Sequence, residues 1–379
     1  MNTFWIYAKK LFLLLLITFL FTGCAKQDSR EVITFSSWGS ATEVKILKNV
    51  ISEFEKENSD IKINFIHVPQ NYFQKIHLLF ASNTAPDVIF INNLYLPQYA
   101  KFLEPLDNYF EKPNFYPQTI NGLSYNNQLL AIPRDVSNLV FYINNDIFKS
   151  KNINLPPDNW TLKDLLNIAI KLTDKNIYGL SYEDNIYWAM PYLYYFGEEI
   201  IKNNGDINFD IVENSQGLEF YKNLKTKYHV VPTKSQIGSS TLAQMFLEGK
   251  IAMYLSGRWI YPKISEQAKF NWSIMTFPIG KYGVAGDASG WAISKNSKHK
   301  YNALKFVKFL SNKKNIEDFV DTGLIIPARI DCTDKINNLK HNEKMFIKAL
   351  TTSKPTTTSK DYNKITDYFN QKMVEFIGE

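Results

Sequence analysis

Three tryptophans lie beside glycine or polar residues, at points where strands are expected to end. They are Trp38 in the sequence SSWG, Trp188 directly after Tyr187, and Trp259 in the sequence GRW. The flat apolar face of an indole suits the C–H face of a sugar ring, and nearby Asn, Asp and Arg side chains can bind its hydroxyls. These positions predict a mixed aromatic and polar pocket for a polar organic ligand, with core packing as the alternative for each tryptophan.

Motifs for nucleotide and metal chemistry are incomplete in this sequence. The GK pairs at 249–250 and 280–281 lack the following Ser or Thr of a phosphate-binding loop. Gly280, Gly283 and Gly286 do not have GxGxxG spacing, so turn glycines are the favoured interpretation. The five histidines are far apart and form no HExxH motif, so the sequence predicts neither a metal site nor a cofactor.

Hydrolase chemistry receives little support. The sequence GDASG at 286–290 places a serine beside glycine but is not the GxSxG nucleophile elbow. Paired carboxylates for glycoside hydrolysis stay possible, because the distance between them depends on the fold. The sequence therefore favours binding over catalysis, with a secreted glycoside hydrolase as the open alternative.

Composition is that of a globular protein outside the nucleic-acid-binding classes. The chain has 379 residues, 45% hydrophobic and 21% charged, and a formal charge of +6. This excludes a disordered or collagen-like chain. The excess charge is small and has no block of five or six like charges, so we expect no nucleic-acid partner. A chain this long is expected to form two lobes.

The N-terminus has the order of a secretory signal. Lys9-Lys10 precedes an apolar stretch from Leu11 to Phe21, and the sequence FTGC ends it at Cys24. This end resembles the lipobox of bacterial lipoproteins, which implies a signal peptide over 1–23 and a lipid on Cys24 that anchors the protein outside the cytoplasm. An uncleaved anchor from Phe4 to Phe21 is the alternative. Residues 24–30 are then a tether, and Cys332 alone cannot form an intramolecular disulfide.

Strand and helix patterns alternate from Glu31 onward and predict an α/β fold. The run 32–35 and the alternating residues 61, 63 and 65 predict strands, and 88–91 is a continuous apolar run typical of a parallel strand. Ser40 and Glu43 have capping-box spacing before a helix, as do Thr161 and Asp164. A helix around Met245 should stop at Gly249, before a strand over 251–255.

Several motifs carry a family resemblance. The sequence ASNTAPDV at 81–88 is similar to a signature of the extracellular solute-binding proteins of family 1, the sugar-binding components of ABC importers. Further matches follow in the family's order: FLEPL at 102–106, LAIPRD at 130–135, FYINNDIF at 141–148, WT at 160–161, FLEGKIAM at 246–253, GRW at 257–259 and IPAR at 326–329.

The resemblance implies a two-lobe, periplasmic-binding-protein-like fold of type II, with a ligand cleft between lobes joined by a hinge. With crossings near 133–139, 281–287 and 325–329, the N-lobe would comprise 31–134 plus 288–325, and the C-lobe 140–282 plus 330–379. The resemblance further implies a monomer that closes on sugar, catalyses nothing and delivers the sugar to ABC transporter permease subunits at the membrane. Binding of a polyamine, peptide or iron chelate is the alternative.

Site residues follow from the resemblance position by position. The implied ligand-binding residues are Trp38, Asn92, Asn93, Asp135, Ser137, Trp188, Trp259, Asp287 and Arg329. Trp259 is expected to stack on the sugar after leaving its strand through Gly257, which permits a tight turn, while Arg258 stays in water.

Overall fold

The computed structural model describes residues 29–111, 114–202, 204–336 and 341–377. The predicted signal peptide and Cys24 lie outside them. The strands are β1 (Glu31–Ser37), β2 (Ile61–His67), β3 (Val88–Asn92), β4 (Ser124–Tyr125), β5 (Gln128–Leu129), β6 (Ile132–Ser137), β7 (Val140–Asn144), β8 (Tyr178–Leu180), β9 (Ile251–Ser256), β10 (Trp272–Thr276), β11 (Asp287–Ile293) and β12 (Ile326–Pro327).

Helices alternate with these strands along the chain. The α-helices are α1 (Ala41–Glu57), α2 (Tyr72–Ala81), α3 (Leu96–Tyr99), α4 (Pro117–Gly122), α5 (Asn145–Ser150), α6 (Leu162–Leu172), α7 (Ile186–Phe196), α8 (Ile211–Asn214), α9 (Gln216–Thr226), α10 (Lys234–Ile237), α11 (Leu242–Leu247), α12 (Tyr261–Gln267), α13 (Lys300–Leu310), α14 (Lys313–Asp321), α15 (Lys344–Thr352) and α16 (Tyr362–Ile377). Short 3₁₀ turns cover Ala100–Phe102, Arg258–Ile260 and Ile330–Ile336. Among the described helices, none combines the length and apolar character needed to span a bilayer.

Two mixed sheets organise two lobes. The first has the order β12-β6-β11-β3-β1-β2, with β1 parallel to β2 and β3 and with β11 antiparallel to β3 and β6. The second has the order β10-β7-β9-β8. Each lobe has an aromatic core: Phe54 packs on Phe306 at 5.0 Å between ring centroids in the first, and Phe141 on Trp160 at 5.7 Å in the second.

The capping residues and the glycine that predicted helix ends lie at the ends of helices in the structure. Ser40 caps α1 by accepting a hydrogen bond from the backbone N–H of Glu43, and Thr161 and Asp164 form the complete capping box of α6. Gly249 has a φ of 71°, the left-handed conformation that ends a helix, and β9 begins two residues later. The predicted α/β alternation is confirmed.

Two passages between the lobes overlap the predicted crossings. The chain leaves β6 at Ser137 and enters β7 at Val140, and it returns between the end of β10 at Thr276 and the start of β11 at Asp287. The predicted third crossing at 325–329 differs from the structure. Ile326 and Pro327 pair with β6 in the first sheet, and the turn Ile330–Ile336 packs on α14. The chain up to Ile336 therefore still packs on the first lobe.

The three regularly spaced glycines of the second passage each lie in close contact with a neighbouring segment. A Cβ at Gly280 would lie 2.2 Å from the carbonyl oxygen of Tyr195, and one at Gly286 would lie 2.3 Å from the Oγ of Ser353. Gly283 donates its N–H to the carbonyl oxygen of Thr352 at 3.0 Å. Each glycine lies close against residues at the C-terminal end of α7 or α15, which leaves no room for a side chain at these positions.

Candidate functional site

A cavity of about 340 Å³ lies between the lobes, beyond the C-terminal ends of β1 and β3. Polar and aromatic side chains from both lobes line it. The structure brings together six of the nine predicted binding residues here: Trp38, Asn92, Asp135, Ser137, Trp259 and Asp287. A polar ligand in this position would touch both lobes at once.

Trp259 presents its indole to this cavity from the 3₁₀ turn that follows β9. The side chain is 41% exposed, whereas Trp160 in the core of the same lobe is 2% exposed. Glycine at position 257 lets the indole pack closely against the backbone, because an added Cβ would lie 1.9 Å from Cζ3 of Trp259. Its φ of −93° is ordinary, so the expected tight turn is not the reason for glycine here.

Arg134 forms the floor of the cavity and was missed by the sequence reasoning. It is 5% exposed and is ion-paired with Glu43 and, at 2.5 Å, with Asp135. Its guanidinium carbon lies 4.0 Å from the ring centroid of Phe90. Burial raises the pKa of the Asp135 carboxyl, and the adjacent guanidinium offsets part of that rise.

Glu43 illustrates how a local motif can hide a site residue. The spacing from Ser40 predicted that its carboxylate would cap α1. Only half of the capping box forms, because Ser40 accepts from the N–H of Glu43 while the carboxylate binds Arg134. Glu43 is therefore buried on the cavity wall, a position that the capping motif in the sequence does not predict.

Asp287 ties three segments together at the hinge. Its Oδ1 accepts hydrogen bonds from Nδ2 of Asn93 at 2.9 Å and from the backbone N–H of Thr356 at 3.0 Å. Its Oδ2 accepts one from the Thr356 hydroxyl at 3.0 Å. The residue is 4% exposed, and burial raises the pKa of its carboxyl. Asp287 therefore lines the cavity and also holds neighbouring segments together.

A second cavity, of about 540 Å³, adjoins the first and shares Leu94 and Tyr187 with it. Amides and aromatic rings dominate its lining, and Asp367 is its only acidic member. The ring of Phe73 stacks on Tyr95 at 3.7 Å between centroids to form part of the wall. Amides that can donate and accept beside flat apolar rings suit a chain of hydroxyl-bearing rings.

A third cavity, of about 450 Å³, lies on the opposite side of the first and shares Arg258 with it. Arg258 was expected in water but is 2% exposed, because Nη1 pairs with Oε2 of Glu343 at 2.8 Å. Its guanidinium carbon also lies 5.2 Å from the ring centroids of Tyr261 and Phe346. The three cavities adjoin one another between the lobes and are together called the interlobe cleft.

Asn93, Trp188 and Arg329 do not line these three cavities. Asn93 acts through Asp287, and Trp188 lies in α7 instead of at a strand end, edge-on to Tyr187 at 5.6 Å. Arg329 is held by Asp331 through two hydrogen bonds of 2.9 and 2.8 Å. Tyr187, which precedes the predicted tryptophan by one residue, is the aromatic that reaches the cleft. The ligand roles of all nine residues stay predictions.

The described ranges contain no candidate metal centre, because no three His, Cys, Asp or Glu side chains are grouped there to hold an ion.

Two lobes around a cleft, with passages that permit hinge motion, define the class of two-lobed solute-binding proteins of type II. The family model for bacterial extracellular solute-binding proteins matches residues 38–317, and the chain belongs to that family.

Relatives and solved structures extend along almost the whole chain. A maltodextrin-binding protein of Bacillus subtilis is 25% identical, covering 92% of this chain and 88% of its own length. A galactooligosaccharide-binding protein of the same species is 24% identical, covering 77% and 72%. An ABC substrate-binding protein from Listeria monocytogenes in complex with cycloalternan is 25% identical, with a TM-score of 0.85 over 92% of this chain and 94% of its own. The maltotriose-binding protein of Thermus thermophilus, bound with maltotriose, is 21% identical with a TM-score of 0.76, covering 92% and 94%.

Proposed function

We propose that this protein is the sugar-binding component of an ABC importer and that its ligand is an oligosaccharide. The carrying observation is the half-exposed indole of Trp259 facing a cleft of amides and aromatic rings. A pyranose stacks on the indole through its C–H face while its hydroxyls bind Asn92, Ser137 and Asp135. Related proteins that bind maltodextrin, cycloalternan and maltotriose support the same class of ligand.

The length of the cleft supports an oligosaccharide over a single sugar. The second cavity adjoins the first, because Leu94 and Tyr187 line both. A ring stacked on Trp259 would fill only the first cavity. The amides of the second cavity would then bind the next rings of the chain.

In this proposal the protein closes on its ligand by hinge motion and then delivers it to the permease at the membrane. The rims of the cleft already touch, because Nδ2 of Asn363 donates to Oε1 of Gln98 at 3.2 Å on one side and Gly323 abuts Tyr261 on the other. A sugar that touches both lobes binds the closed form better than the open one and shifts the population toward it. The closed monomer then docks on the permease subunits, with a lipid on Cys24 keeping it nearby, and it catalyses nothing.

Calorimetry and thermal melting of the chain from Ala25 onward test this function. That chain keeps every described helix and strand, because β1 begins at Glu31. Maltotriose, cycloalternan and galactooligosaccharides are compared with glucose, spermidine and a tripeptide. A ligand at about 100 times its Kd adds about 2.7 kcal/mol of stability. We expect an oligosaccharide to raise the melting temperature, to lower the radius of gyration and to be recovered uncut. Stabilisation by spermidine or the peptide alone would contradict the proposal, and cleavage products would indicate a glycoside hydrolase.

A further inference from the structure

The interlobe cleft is acidic in a protein whose overall charge is positive. The three cavities are lined by seven acidic side chains, namely Glu43, Asp135, Glu266, Asp287, Asp321, Glu343 and Asp367, and by three basic ones, Arg134, Arg258 and Lys335. This is a formal charge of −4, against +6 for the whole chain. The sequence showed no acidic cluster, because these residues are spread from 43 to 367.

Every basic side chain of the cleft is already bound to a carboxylate. Arg134 is shared by Glu43 and Asp135, Arg258 pairs with Glu343, and Lys335 with Asp321 at 2.9 Å. The remaining donors of Arg258, on Nε and Nη2, are buried and closed to solvent. An anionic ligand would therefore have to break an existing ion pair or displace the surrounding side chains to reach the two unpartnered donors of Arg258.

Two acids face the cleft without a cation of their own. Asp367 in the second cavity and Glu266 in the third are exposed, and neither has an ion-pair partner among the described residues. Asp287 is also without a cation, since its partners are an amide, a backbone N–H and a hydroxyl. Even without the two acids whose burial favours protonation, Asp135 and Asp287, five acids still outnumber three cations.

We infer that the cleft selects carbohydrates by charge: it binds saccharides that carry a protonated amine more tightly than neutral ones of the same skeleton, and it rejects those that carry a carboxylate. The cleft lies between the two lobes, and low-dielectric walls concentrate the field of such a charge excess on the ligand. Asp367 is the expected partner of an amine that enters the second cavity. This inference rests on the proposed sugar-binding function and adds the charge class of the ligand.

The test compares maltotriose with its derivatives that have an amine or a carboxylate at C6 of a terminal residue. Calorimetry at about 20 mM and about 500 mM salt measures each affinity, because the Debye length falls severalfold over that range. At low salt we expect the amine to bind about tenfold tighter than maltotriose and the carboxylate at least about tenfold weaker. High salt should compress this order.

Asp367→Asn should lower the preference for the amine about two- to fivefold, as expected for an exposed ion pair. Glu375→Gln is the matched control, because it removes an acid from the same helix α16 at a position that pairs with Lys372 outside the cavities. If the protein binds maltotriose and both derivatives with equal affinity, that result would overturn the charge selection alone. Failure of these three sugars to bind, together with failure of cycloalternan and the galactooligosaccharides, would overturn the proposed function with it. An equal effect of the control variant would remove Asp367 from the argument.

Discussion

Replacing Trp259 with alanine should weaken sugar binding strongly and destabilise the free protein little. An indole offers about 150–250 Å² of surface, and the 41% left exposed leaves about 60–100 Å² for a ligand to cover. At about 25 cal/mol per Å², losing that contact costs about 1.5–2.5 kcal/mol, or roughly 10- to 70-fold in Kd. A fully buried tryptophan would instead cost the fold about 3–5 kcal/mol on replacement by alanine.

Calorimetric affinity and the melting temperature of the ligand-free protein, measured on the same variants, separate binding from folding. Trp160→Ala is the core comparator, since this indole is 2% exposed and donates its Nε1–H to the carbonyl oxygen of Thr276. Tyr301→Ala is the surface comparator, because Tyr301 is 80% exposed on α13 and lines none of the three cavities. A large loss of stability in Trp259→Ala, with wild-type affinity in the folded fraction, would refute the stacking argument.

Four further changes test the site and its setting. Gly257→Ala should displace the indole that lies against it and lower affinity by calorimetry, with the melting temperature of the free protein nearly kept; unchanged affinity would contradict this. Arg134→Met leaves two buried carboxylates unpaired and should cost about 3–5 kcal/mol in urea unfolding at neutral pH, and a cost below about 1 kcal/mol would count against it. Asp287→Asn keeps the size of the side chain and removes a buried charge; its Oδ1 still accepts from Asn93 and the Thr356 N–H, and its Nδ2 donates to the Thr356 hydroxyl. Because burial raises the pKa of this acid in the folded state, the wild type loses stability as pH rises from about 4 through the folded pKa, so the variant should gain relative stability over that window. Cys24→Ser should abolish acylation, and native protein with an intact mass that retains Met1 and carries no acyl group would refute lipidation.

The elements were readable from sequence because each carries a local signal. Caps such as Ser40 and Thr161, and the apolar run of β3, depend on neighbours in sequence, and those elements formed where they were read. The family resemblance added the two-lobe arrangement and six of the residues that line the first cavity. The third passage was misplaced because the pairing of Ile326 with Val136 in β6 joins residues far apart in sequence.

Buried polar partners were the part of the site that sequence could not supply. Arg134 and Arg258 sit inside motifs that the resemblance quoted, yet their burial depends on Glu43 and Glu343, which lie 91 and 85 residues away. The acidic character of the cleft has the same origin. Single acidic residues from distant segments come together only after the lobes form, so no local stretch of sequence shows the excess of acids over cations in the cleft.

Two of the three passages between the lobes also constrain how the lobes can move. They lie side by side, because Ser137 at the end of β6 pairs with Asp287 at the start of β11. Each is pinned next to the junction: Asn138 donates its Nδ2–H to the carbonyl oxygen of Phe346 at 2.8 Å, and Gly286 donates its N–H to that of Lys354 at 2.8 Å. Two pinned neighbouring points define one rotation axis. Opening should follow a single angular coordinate, so that one distance measured across the cleft reports the whole motion.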